Sequence, residues 1–577
     1  MDPITLEIIN SSLAAYADEM TNSFWRSSYS YMNYEVRDFA VGFIDREGRI
    51  ITQSRYTHPA FTGDLGYVVK AAVDDIGESN ISQGDIIVTN DPVVQGQHLN
   101  NTVVFAPLIC DGRIFAYSCV RAHLHDVGGA TVGSGGPGAT EIFQEGLQIS
   151  ASRLYRKGVA NEELYRLIER NTRFPEIVRG DLNAQVAASK LGLRRFLELI
   201  EKFGRATIEK AVMASWDMAE RAARKAVSAI PSGRYYAESF LDNDGIDLEK
   251  PVPIRVHVEI KGEEMTIDFS DISDQVKGAM NSGYYGGATN VGRIVFKCLT
   301  TPRLPSNEGC FRPLTIICPE GKILNARRPA ALYEWSVTFP TIIDTTLKAL
   351  SNALVSRVPA ATRGDPRGAW ISGFNEATRK YFTINIPHPG GHGARPTADA
   401  PSPKCSIQQG NEHGLPIEIV ETKNPVIFER YALREDSGGA GRYRGGLGTD
   451  VMAYLELDCD VRNQMSRSKC PPWGLDGGGN GATNIAFTVD KGRESPLLRT
   501  KIHRLASGER VRVLTGGGGG HGDPFDRPAD KVRDDAVDGY ISIAAARDCY
   551  GVVMNQKFEI DEQATATSRN KRGEAAQ

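Results

Sequence analysis

The amino-acid sequence predicts a multi-domain α+β protein. Its 577 residues exceed what a single hydrophobic core usually supports. Runs with β-type alternation, a long stretch with helical periodicity and clusters of glycine follow one another along the chain. We therefore predict five segments: an N-terminal α/β domain with a metal site (1–158), a helical segment (159–232), a mixed α/β domain (233–385), a β- and glycine-rich domain (386–562) and a flexible tail (563–577).

The N-terminal segment begins with a predicted helix and continues with strands. Asp2 is a good N-cap and Pro3 fits the first helical position. Apolar residues then recur every three or four positions from Leu6 to Met20, so one face of this helix is expected to be buried. Two β-rich runs flank residues 46–48 and predict a hairpin. Further strands are predicted in DIIVTN, TVVFAPLI and RIFAYSCVRAHL.

The remaining segments are assigned by periodicity and by glycine. RRFLELIEKFGRATIEKAVMASWDMAERAARKAVSAI predicts helices, whereas YYAESFL, IRVHVEI and MTIDFS alternate like strands. Helices are also predicted in SVTFPTIIDTTLKALSNALV and DGYISIAAARDCYG. Four glycine-rich stretches, at 390–396, 436–448, 471–481 and 514–524, predict tight turns in a β-rich domain.

Composition excludes several classes of protein. A formal net charge of −4 argues against an obligate nucleic-acid binder. No run of 18 apolar residues predicts a membrane span, and the N-terminus lacks the pattern of a signal peptide. The nine cysteines are dispersed without a CxxC pair, which favours free thiols in the cytoplasm over a disulfide framework or a zinc ribbon.

A histidine cluster carries most of the chemical information. His98 lies in NDPVVQGQHLNN and His123 in RAHLHDVGG, each beside a predicted strand end. Zinc and manganese favour imidazole and carboxylate ligands, and Asp38 opens another strand that could supply a carboxylate. The alternative is that both histidines are half-buried and bonded to the backbone, and that Asp38 forms a surface ion pair.

Residues next to these histidines have weaker signals. Asn101 is a neutral and therefore weak ligand, more often a turn residue. His125 faces the same site as His123 only if the strand has ended, because side chains alternate along a strand; with that condition, His125 and Asp126 are the candidate catalytic residues. Asp126 is expected to hold the second ring nitrogen of His123.

Motifs for nucleotide binding and for nucleophilic catalysis are not convincing. The GxGxxG matches at 133–138 and 517–522 do not lead into clear helices, and neither a P-loop nor a GxSxG elbow occurs. Cys310 has no assigned base beside it, so a structural thiol is the better interpretation. The sequence therefore predicts no nucleotide site of its own.

The ordered motifs RDFAVGFID, NDP…HLNN, AHLHDVGG, PSNEGCFRP, GGHGARP, DSGGAGRYRGGLG, PPWGL and GGGGGHGDP resemble the hydantoinase B/oxoprolinase family. This family includes the beta subunits of ATP-dependent hydantoinases and lactamases, and the metal-carrying subunit of acetone and acetophenone carboxylases. The resemblance extends over nearly the whole chain. It is specific for the family and not for the substrate.

The resemblance implies a shared reaction with a partner. A hydantoinase A-like subunit with an actin-like fold would bind ATP and phosphorylate a carbonyl oxygen, and this chain would act on the product at a divalent metal, zinc or manganese. An (αβ)2 heterotetramer or a larger assembly is expected. The implied metal ligands are Asp38, His98, position 101 and His123. The family pattern has Asp at position 101, where this chain has Asn101.

Three functions stay open at this point. The first is a metal-binding subunit of an ATP-dependent hydrolase of cyclic amides (hydantoin, lactam or 5-oxoproline type), with His392 and Arg395 of GGHGARP as candidates to contact the substrate. The second is a ketone carboxylase subunit that uses bicarbonate, since AHLHDVGG is slightly nearer the carboxylase pattern. The third is a non-catalytic scaffold whose metal site has decayed through Asn101.

Overall fold

The computed structural model describes residues 2–136, 138–365, 367–386, 389–499 and 501–575. Its first part is built on a seven-stranded sheet with the order β2-β1-β5-β4-β3-β6-β7, in which all pairs are antiparallel. The strands are β1 (Phe39–Asp45), β2 (Ile50–Gln53), β3 (Ile86–Thr89), β4 (Asn101–Cys110), β5 (Arg113–His123), β6 (Ser152–Arg156) and β7 (Val159–Ala160).

Five helices accompany this sheet, and the predicted start of the first one is confirmed. Asp2 accepts a hydrogen bond from the backbone N–H of Thr5, and Pro3 is the first helical residue. The hairpin predicted around residues 46–48 is also present, between β1 and β2. The helices are α1 (Pro3–Ser27), α2 (Tyr31–Tyr34), α3 (Pro59–Thr62), α4 (Leu65–Ile76) and α5 (Pro92–Gln95).

Three helices follow: α6 (Glu162–Arg170), α7 (Pro175–Phe203) and α8 (Arg205–Val227). They do not stand apart from the first sheet. Phe196 of α7 and Trp216 of α8 are buried in the same hydrophobic cluster as Phe24 of α1 and Val120 of β5. The helical segment therefore covers one face of the N-terminal sheet and shares its core.

The third part combines a four-stranded sheet, ordered β11-β10-β9-β8, with two helices that carry its largest apolar core. Only the β10–β11 pair is parallel within this sheet. A π-helical turn, Tyr285–Thr289, leads directly into the first helix. The elements are β8 (Gly233–Leu241), β9 (Val252–Lys261), β10 (Glu264–Asp268), α9 (Asn290–Thr300), β11 (Leu314–Ile317) and α10 (Trp335–Ala349).

The last part has two further sheets, ordered β13-β12-β16-β19 and β14-β15-β20-β17-β18. Ile371 and Val461 from the first sheet, and Val451 and Val513 from the second, are buried in one shared cluster. The elements are β12 (Ala369–Asn375), β13 (Lys380–Asn385), α11 (Ile417–Lys423), β14 (Val426–Leu433), β15 (Thr449–Leu455), β16 (Cys459–Asn463), β17 (Ile485–Asp490), β18 (Arg493–Pro496), β19 (Ile502–Leu505), β20 (Arg510–Leu514), α12 (Ala529–Val537), α13 (Ile543–Tyr550) and α14 (Glu562–Ala575).

The glycine-rich stretches do more than turn the chain. They stack backbone against backbone: Gly439 N–H donates to Gly518 O, Gly518 N–H to Gly446 O, and Gly446 N–H to His392 O. A Cβ at Gly518 would lie 1.8 Å from the carbonyl oxygen of His392, and one at Gly517 would lie 1.7 Å from that of Ser437. Glycine is needed at these positions for close approach, and not, as the sequence suggested, for a tight turn.

Two further expectations concern the C-terminus and membranes. Within the tail predicted to be flexible, residues 563–575 lie in α14. Thr565 and Arg569 attach this helix to the preceding loop, through bonds to Val553 and to the carbonyl oxygen of Tyr550. Within the described residues, no helix is both long enough and apolar enough to cross a membrane.

Candidate active site

Three of the predicted ligands meet where strands of the first sheet end. Asn101, at the start of β4, pairs with His123, at the end of β5. β5 also pairs with β1, and the backbone N–H of His123 donates to the carbonyl oxygen of Asp38 at 3.1 Å. The antiparallel pairing therefore brings Asp38, Asn101 and His123 together at one end of the neighbouring strands β1, β5 and β4.

His98 reaches the same strand ends from the loop that precedes β4. A turn in which Asn101 N–H donates to His98 O brings the ring back over the strand end. The rings of His98 and His123 lie 4.9 Å apart between centroids and are nearly perpendicular, at 86°. His98 also packs edge-on against Trp335 of α10.

Asp38, His98 and His123 line a cavity of about 80 Å³ between the first sheet and the last part of the chain, and Asn101 lies outside its lining. The cavity has room for an ion with a few waters. Its polar lining comes from distant parts of the sequence. The charged or titratable residues among those described are Tyr31, Asp38, His58, His98, His123, Tyr333, Arg367, Cys405, Glu412 and His413.

Asp38, His58 and Glu412 form the tightest group. Their ligand atoms all lie within 4.8 Å of one another, a spacing that suits a metal ion. The Nε2 of His58 is 2.7 Å from Glu412 Oε1 and 4.0 Å from Asp38 Oδ1. His58 also caps α3, because its Nδ1 accepts the N–H of Ala60 at 3.1 Å. Nδ1 is thus unprotonated, and Nε2 carries the proton that His58 donates to Glu412.

The two carboxyl groups share a proton. Burial raises the pKa of both Asp38 and Glu412 to about 8. The two carboxyl groups interact directly, and a hydrogen bond between them requires one of the two to carry a proton. Glu412 accepts further bonds from His58 and Gln409. Asp38 Oδ1 is buried and has no hydrogen-bond partner among the described residues.

His98 has both ring nitrogens occupied. Arg367 donates to its Nδ1 at 3.0 Å, and a guanidinium can only donate. His98 is therefore protonated at Nε2, which lies 2.9 Å from Asn101 Oδ1. Burial, together with the charge of Arg367, holds the pKa of His98 well below its usual range. In this state His98 is neutral and has no free lone pair for a cation.

Asn101 is matched to its surroundings as an amide. Its Nδ2 donates to Gln97 Oε1 at 2.8 Å. Gln97 cannot turn its amide around, because its own nitrogen donates to the carbonyl oxygens of Ala60 and Gly286. Gln97 Oε1 also accepts a bond from Arg121. An aspartate at position 101 would place a carboxylate oxygen against Gln97 Oε1.

His123 is the histidine with a free nitrogen. Burial and the charge of Arg367 lower the pKa of His123 to about 3, so the ring is neutral. Its Nδ1 is buried and has no hydrogen-bond partner among the described residues. Like Oδ1 of Asp38, it is a buried polar atom of the cavity lining that lacks a partner among the described residues. His123 thus offers a free donor atom to this cavity, whereas the ring nitrogens of His98 and the amide of Asn101 are already hydrogen-bonded.

Arg367 brings a positive charge to the cavity. It donates to Ser336, Gln464, His98 and the carbonyl oxygen of Tyr333. All of these partners are neutral, and among the described residues Arg367 forms no ion pair. Its charge lies beside the carboxyl groups of Asp38 and Glu412, whose pKa values are raised by burial.

Asp126 does not have the role predicted for it. Its carboxylate accepts bonds from the backbone N–H groups of Gly128, Gly133 and Arg173, and from the side chains of Thr172 and Arg173. None of these partners is His123. The buried carboxylate organises the glycine-rich loop after β5 and fastens it to the start of α7.

His125 faces away from the cavity that holds His98 and His123. Its Nδ1 lies 3.2 Å from the hydroxyl of Ser30, and its ring packs edge-on against Tyr31 and Phe174. It lines a separate cavity of about 540 Å³. β5 ends at His123, so strand alternation does not decide the direction of His125. Its contacts with Ser30, Tyr31 and Phe174 place it in the other cavity, and the geometry does not support a catalytic role for His125 beside His123.

The GGHGARP residues also lie outside the cavity. His392 is held by a 2.6 Å bond between its Nε2 and the carbonyl oxygen of Cys405. Arg395 is exposed at a backbone bridge to Ala398. Neither residue is part of the cavity lining, so the structure does not bring them to the predicted ligands.

The sequence did not single out His58, Arg367 or Glu412. His58 is 20 residues from Asp38, while Arg367 and Glu412 come from the last part of the chain. Their local sequences, RYTHPAF, GDPRGAW and GNEHG, match no catalytic motif. Only the packing of the last part against the first sheet reveals that they belong to one cavity.

This chain is similar to known proteins over nearly its whole length. The model of the hydantoinase B/oxoprolinase family matches residues 2–524. Uncharacterized protein MJ0963 of Methanocaldococcus jannaschii is 34% identical over 575 residues, which cover 99% of this chain and 100% of that protein. Caprolactamase subunit beta of Pseudomonas jessenii is 30% identical over 590 residues, which cover 99% of both chains.

Two solved structures share the fold. ATP-dependent caprolactamase from Pseudomonas jessenii has a TM-score of 0.92 at 28% identity, covering 99% of this chain and 100% of that chain. The nucleotide-free structure of acetone carboxylase has a TM-score of 0.90 at 19% identity, covering 100% of this chain and 83% of that chain. The second likeness concerns the fold alone.

Proposed function

The chain belongs to the hydantoinase B/oxoprolinase family, and from this premise we propose that it is the cation-binding subunit of an ATP-dependent hydrolase of cyclic amides. A hydantoinase A-like partner would bind ATP and phosphorylate the amide oxygen, and this chain would complete the hydrolysis. The observation that carries the proposal is the buried group of Asp38, His58 and Glu412 beside His123 and Arg367, in a cavity that joins the first and last parts of the chain.

The residues present fit a divalent cation. Asp38 Oδ1 and His123 Nδ1 are buried and have no hydrogen-bond partner among the described residues. Glu412 offers a carboxylate oxygen within 4.8 Å of the ligand atoms of Asp38 and His58. We propose these three residues as ligands for zinc or manganese, in place of the His98 and Asn101 that the family pattern suggests. A bound divalent cation would lower the pKa of a coordinated water toward about 7.

The other residues would prepare the site for a negatively charged substrate. The N–H of His58 holds the carboxylate of Glu412 in place, so that Glu412 can accept a proton from water. Arg367 supplies a guanidinium whose described partners are all neutral, and this charge would attract phosphoryl oxygens. Trp335, Phe61 and Leu415 form an apolar part of the wall, which excludes bulk water.

The chain needs a partner in this scheme, because its sequence has no convincing nucleotide motif. The names of relatives such as caprolactamase subunit beta fit a hetero-oligomer. We propose an assembly of the (αβ)2 type with an A-type subunit in the cytoplasm. Bicarbonate is a substrate only under the alternative, in which the same site carboxylates a phosphorylated ketone enol.

The test is a turnover assay of this chain co-expressed with its A-type partner. ATP-dependent loss of hydantoin, caprolactam or 5-oxoproline is measured beside ATP-dependent loss of acetone or acetophenone with bicarbonate. Hydrolysis of a cyclic amide that requires both subunits supports the proposal. Turnover of a ketone only would replace it with the carboxylase, and no turnover together with no bound metal would favour a scaffold.

A further inference from the structure

A second cavity, of about 570 Å³, lies back to back with the candidate active site. The two cavities share a wall made by residues 57–59 and 407–412. Thr57 and Pro59 line the second cavity, while His58 between them lines the active site. In the other segment, Asn411 faces the second cavity and its neighbour Glu412 faces the active site. A single layer of chain therefore separates the two.

The second cavity has a strongly one-sided charge. Four cationic side chains line it, and no carboxylate is among its described lining residues: Arg55, Arg293, Lys297 and Arg303. Arg55 is neutralised by Asp18, and Arg293 by Glu308, from outside the lining. Lys297 and Arg303 form no ion pair within the part of the chain that the structure describes.

Lys297 is the clearest case of an uncompensated charge. Its ammonium donates to Thr301 Oγ1 at 3.0 Å, to the carbonyl oxygen of Pro305 at 3.4 Å and to Cys310 Sγ at 3.4 Å. These acceptors are all neutral, and burial lowers the pKa of Lys297. Holding a partly buried ammonium without a counter-ion costs free energy, and a bound anion would remove that cost.

Other lining groups extend this pattern. Asn411 has a buried Nδ2 with no partner among the described residues, and so offers an unused donor. Ser306 supplies a hydroxyl close to Arg303 in the chain. Apolar residues, among them Ile294 and Phe311, form a further part of the wall. A volume of 570 Å³ lies within the range of small-molecule sites, about 300–1,000 Å³.

We propose that this second cavity binds a small organic phosphate, with the phosphate at Lys297, Arg303 and Asn411 and the uncharged body against the apolar wall. The assignment of that ligand as the phosphorylated substrate rests on the proposed function. The cavity would hold the activated compound one chain layer from the residues that act on it. Inorganic phosphate, the product of the same reaction, shares the anionic chemistry and lacks the body.

The experiment is calorimetric titration of the purified full chain at low ionic strength with phenyl phosphate, inorganic phosphate and phenol. The variants are Lys297→Met, Arg303→Gln and the double variant, and thermal unfolding confirms that each one folds. Lys380→Met is the matched control, because Lys380 lines a different cavity that also contains Glu176. This assay needs neither the partner nor turnover, so its failure is distinct from failure of the proposed function.

We expect phenyl phosphate to bind the parent chain at least tenfold more tightly than inorganic phosphate, and phenol not to bind. Each single variant should weaken phenyl phosphate binding at least tenfold, and Lys380→Met should change it less than twofold. The proposal is overturned if the double variant binds as the parent does, or if both phosphates bind equally. It is also overturned if adding the A-type partner abolishes binding, since the partner would then fill the cavity.

Discussion

His98 donates its Nε2–H to the side-chain oxygen of Asn101 across 2.9 Å. The resemblance implies metal ligands at positions 98 and 101. In this chain, a neutral histidine and a neutral amide at these positions are joined by one hydrogen bond. Arg367 on Nδ1 of His98 and Gln97 on the amide of Asn101 fix the direction of that bond. The neutral amide at position 101 is thus matched by the surrounding donors and acceptors.

A carboxylate at position 101 should raise the affinity for metal and lower the stability of the metal-free protein. We expect Asn101→Asp to raise affinity for zinc or manganese at least tenfold, because it adds a negative charge directly beside His98, which lines the cavity. Without metal it should lower the free energy of unfolding by about 1–3 kcal/mol, because the new oxygen meets Gln97 Oε1. Metal titration and thermal unfolding measure the two effects. Asn100→Asp, at a buried neighbour bonded to Leu124 O, should destabilise without gaining metal; equal gains would contradict the assignment.

Glu412→Gln should abolish activity and make the protein more stable at alkaline pH. The amide oxygen still accepts from His58, while the amide nitrogen can no longer accept the bond from Gln409. The stability gain at alkaline pH therefore comes from removing a buried carboxyl group that is costly to ionise. In the parent, the folded-state pKa values near 8 lie above the usual 3.8 and 4.5, so stability falls as the pH rises from about 4 to 8.

The variant should flatten that pH dependence and be about 1 kcal/mol more stable at pH 8, while turnover falls by about 10²–10⁴. Thermal unfolding across pH 5–9 and the turnover assay measure this. Glu418→Gln, at an exposed glutamate of α11, is the control and should resemble the parent. A steeper pH dependence in Glu412→Gln would contradict the shared proton.

Substitution of the two histidines near the end of β5 should have different effects on metal binding and turnover. His123→Ala should lose bound metal and turnover, because it removes the free Nδ1 that faces the cavity. His125→Ala should keep the metal, since that ring is bonded to Ser30 in another cavity. Metal content by mass spectrometry and turnover are measured on both. Loss of metal in His125→Ala alone would refute this arrangement.

Arg367→Met should lower kcat/KM at least a hundredfold, because the phosphoryl oxygens lose their guanidinium and His98 loses a hydrogen bond. Removal of the positive charge should also raise the pKa of Asp38 further, because Arg367 lowers it in the parent. The alkaline shift of the pH–rate profile is the readout that a merely structural defect would not produce. Arg395→Met, at an exposed site, should match the parent; a similar loss there would point to the GGHGARP loop instead.

A side chain at Gly518 should prevent the last part of the chain from packing. The Cβ of Gly518→Ala would lie 1.8 Å from the carbonyl oxygen of His392, so backbone would have to move, and we expect insoluble or poorly folded protein. Gly414→Ala is the control, because nothing lies within 4 Å of its Cβ. Soluble expression and thermal unfolding check the pair. A stable Gly518→Ala would show that the glycine stack tolerates separation.

The strands that carry Asp38, Asn101 and His123 follow from local sequence. Alternation and turn residues define β1, β4 and β5, and antiparallel pairing then brings their ends together. The partners of Asp126 were not predictable in the same way, because Thr172 and Arg173 reach it from the start of α7, beyond the first sheet in sequence.

The rest of the cavity depends on contacts between distant parts of the chain. The role of Glu412 becomes visible only in the packed structure, where its buried carboxyl group meets donors from His58 and Gln409. The same is true of Arg367, whose guanidinium bonds only neutral groups among the described residues. The glycine stretches were assigned to turns because glycine serves both turns and close contacts, and sequence alone does not distinguish them. Long-range packing decided both cases.

The contact between Arg367 and His98 joins residues 269 positions apart, and this has a consequence for biosynthesis. At roughly 5–20 residues per second, about 15–50 seconds pass between translation of His98 and of Arg367. During that interval the nascent chain exposes an unfinished pocket with its histidines open to water and to stray metals. A product that ends before Arg367 lacks the guanidinium that bonds Nδ1 of His98, so the pocket can be completed only after the last part of the chain has been translated.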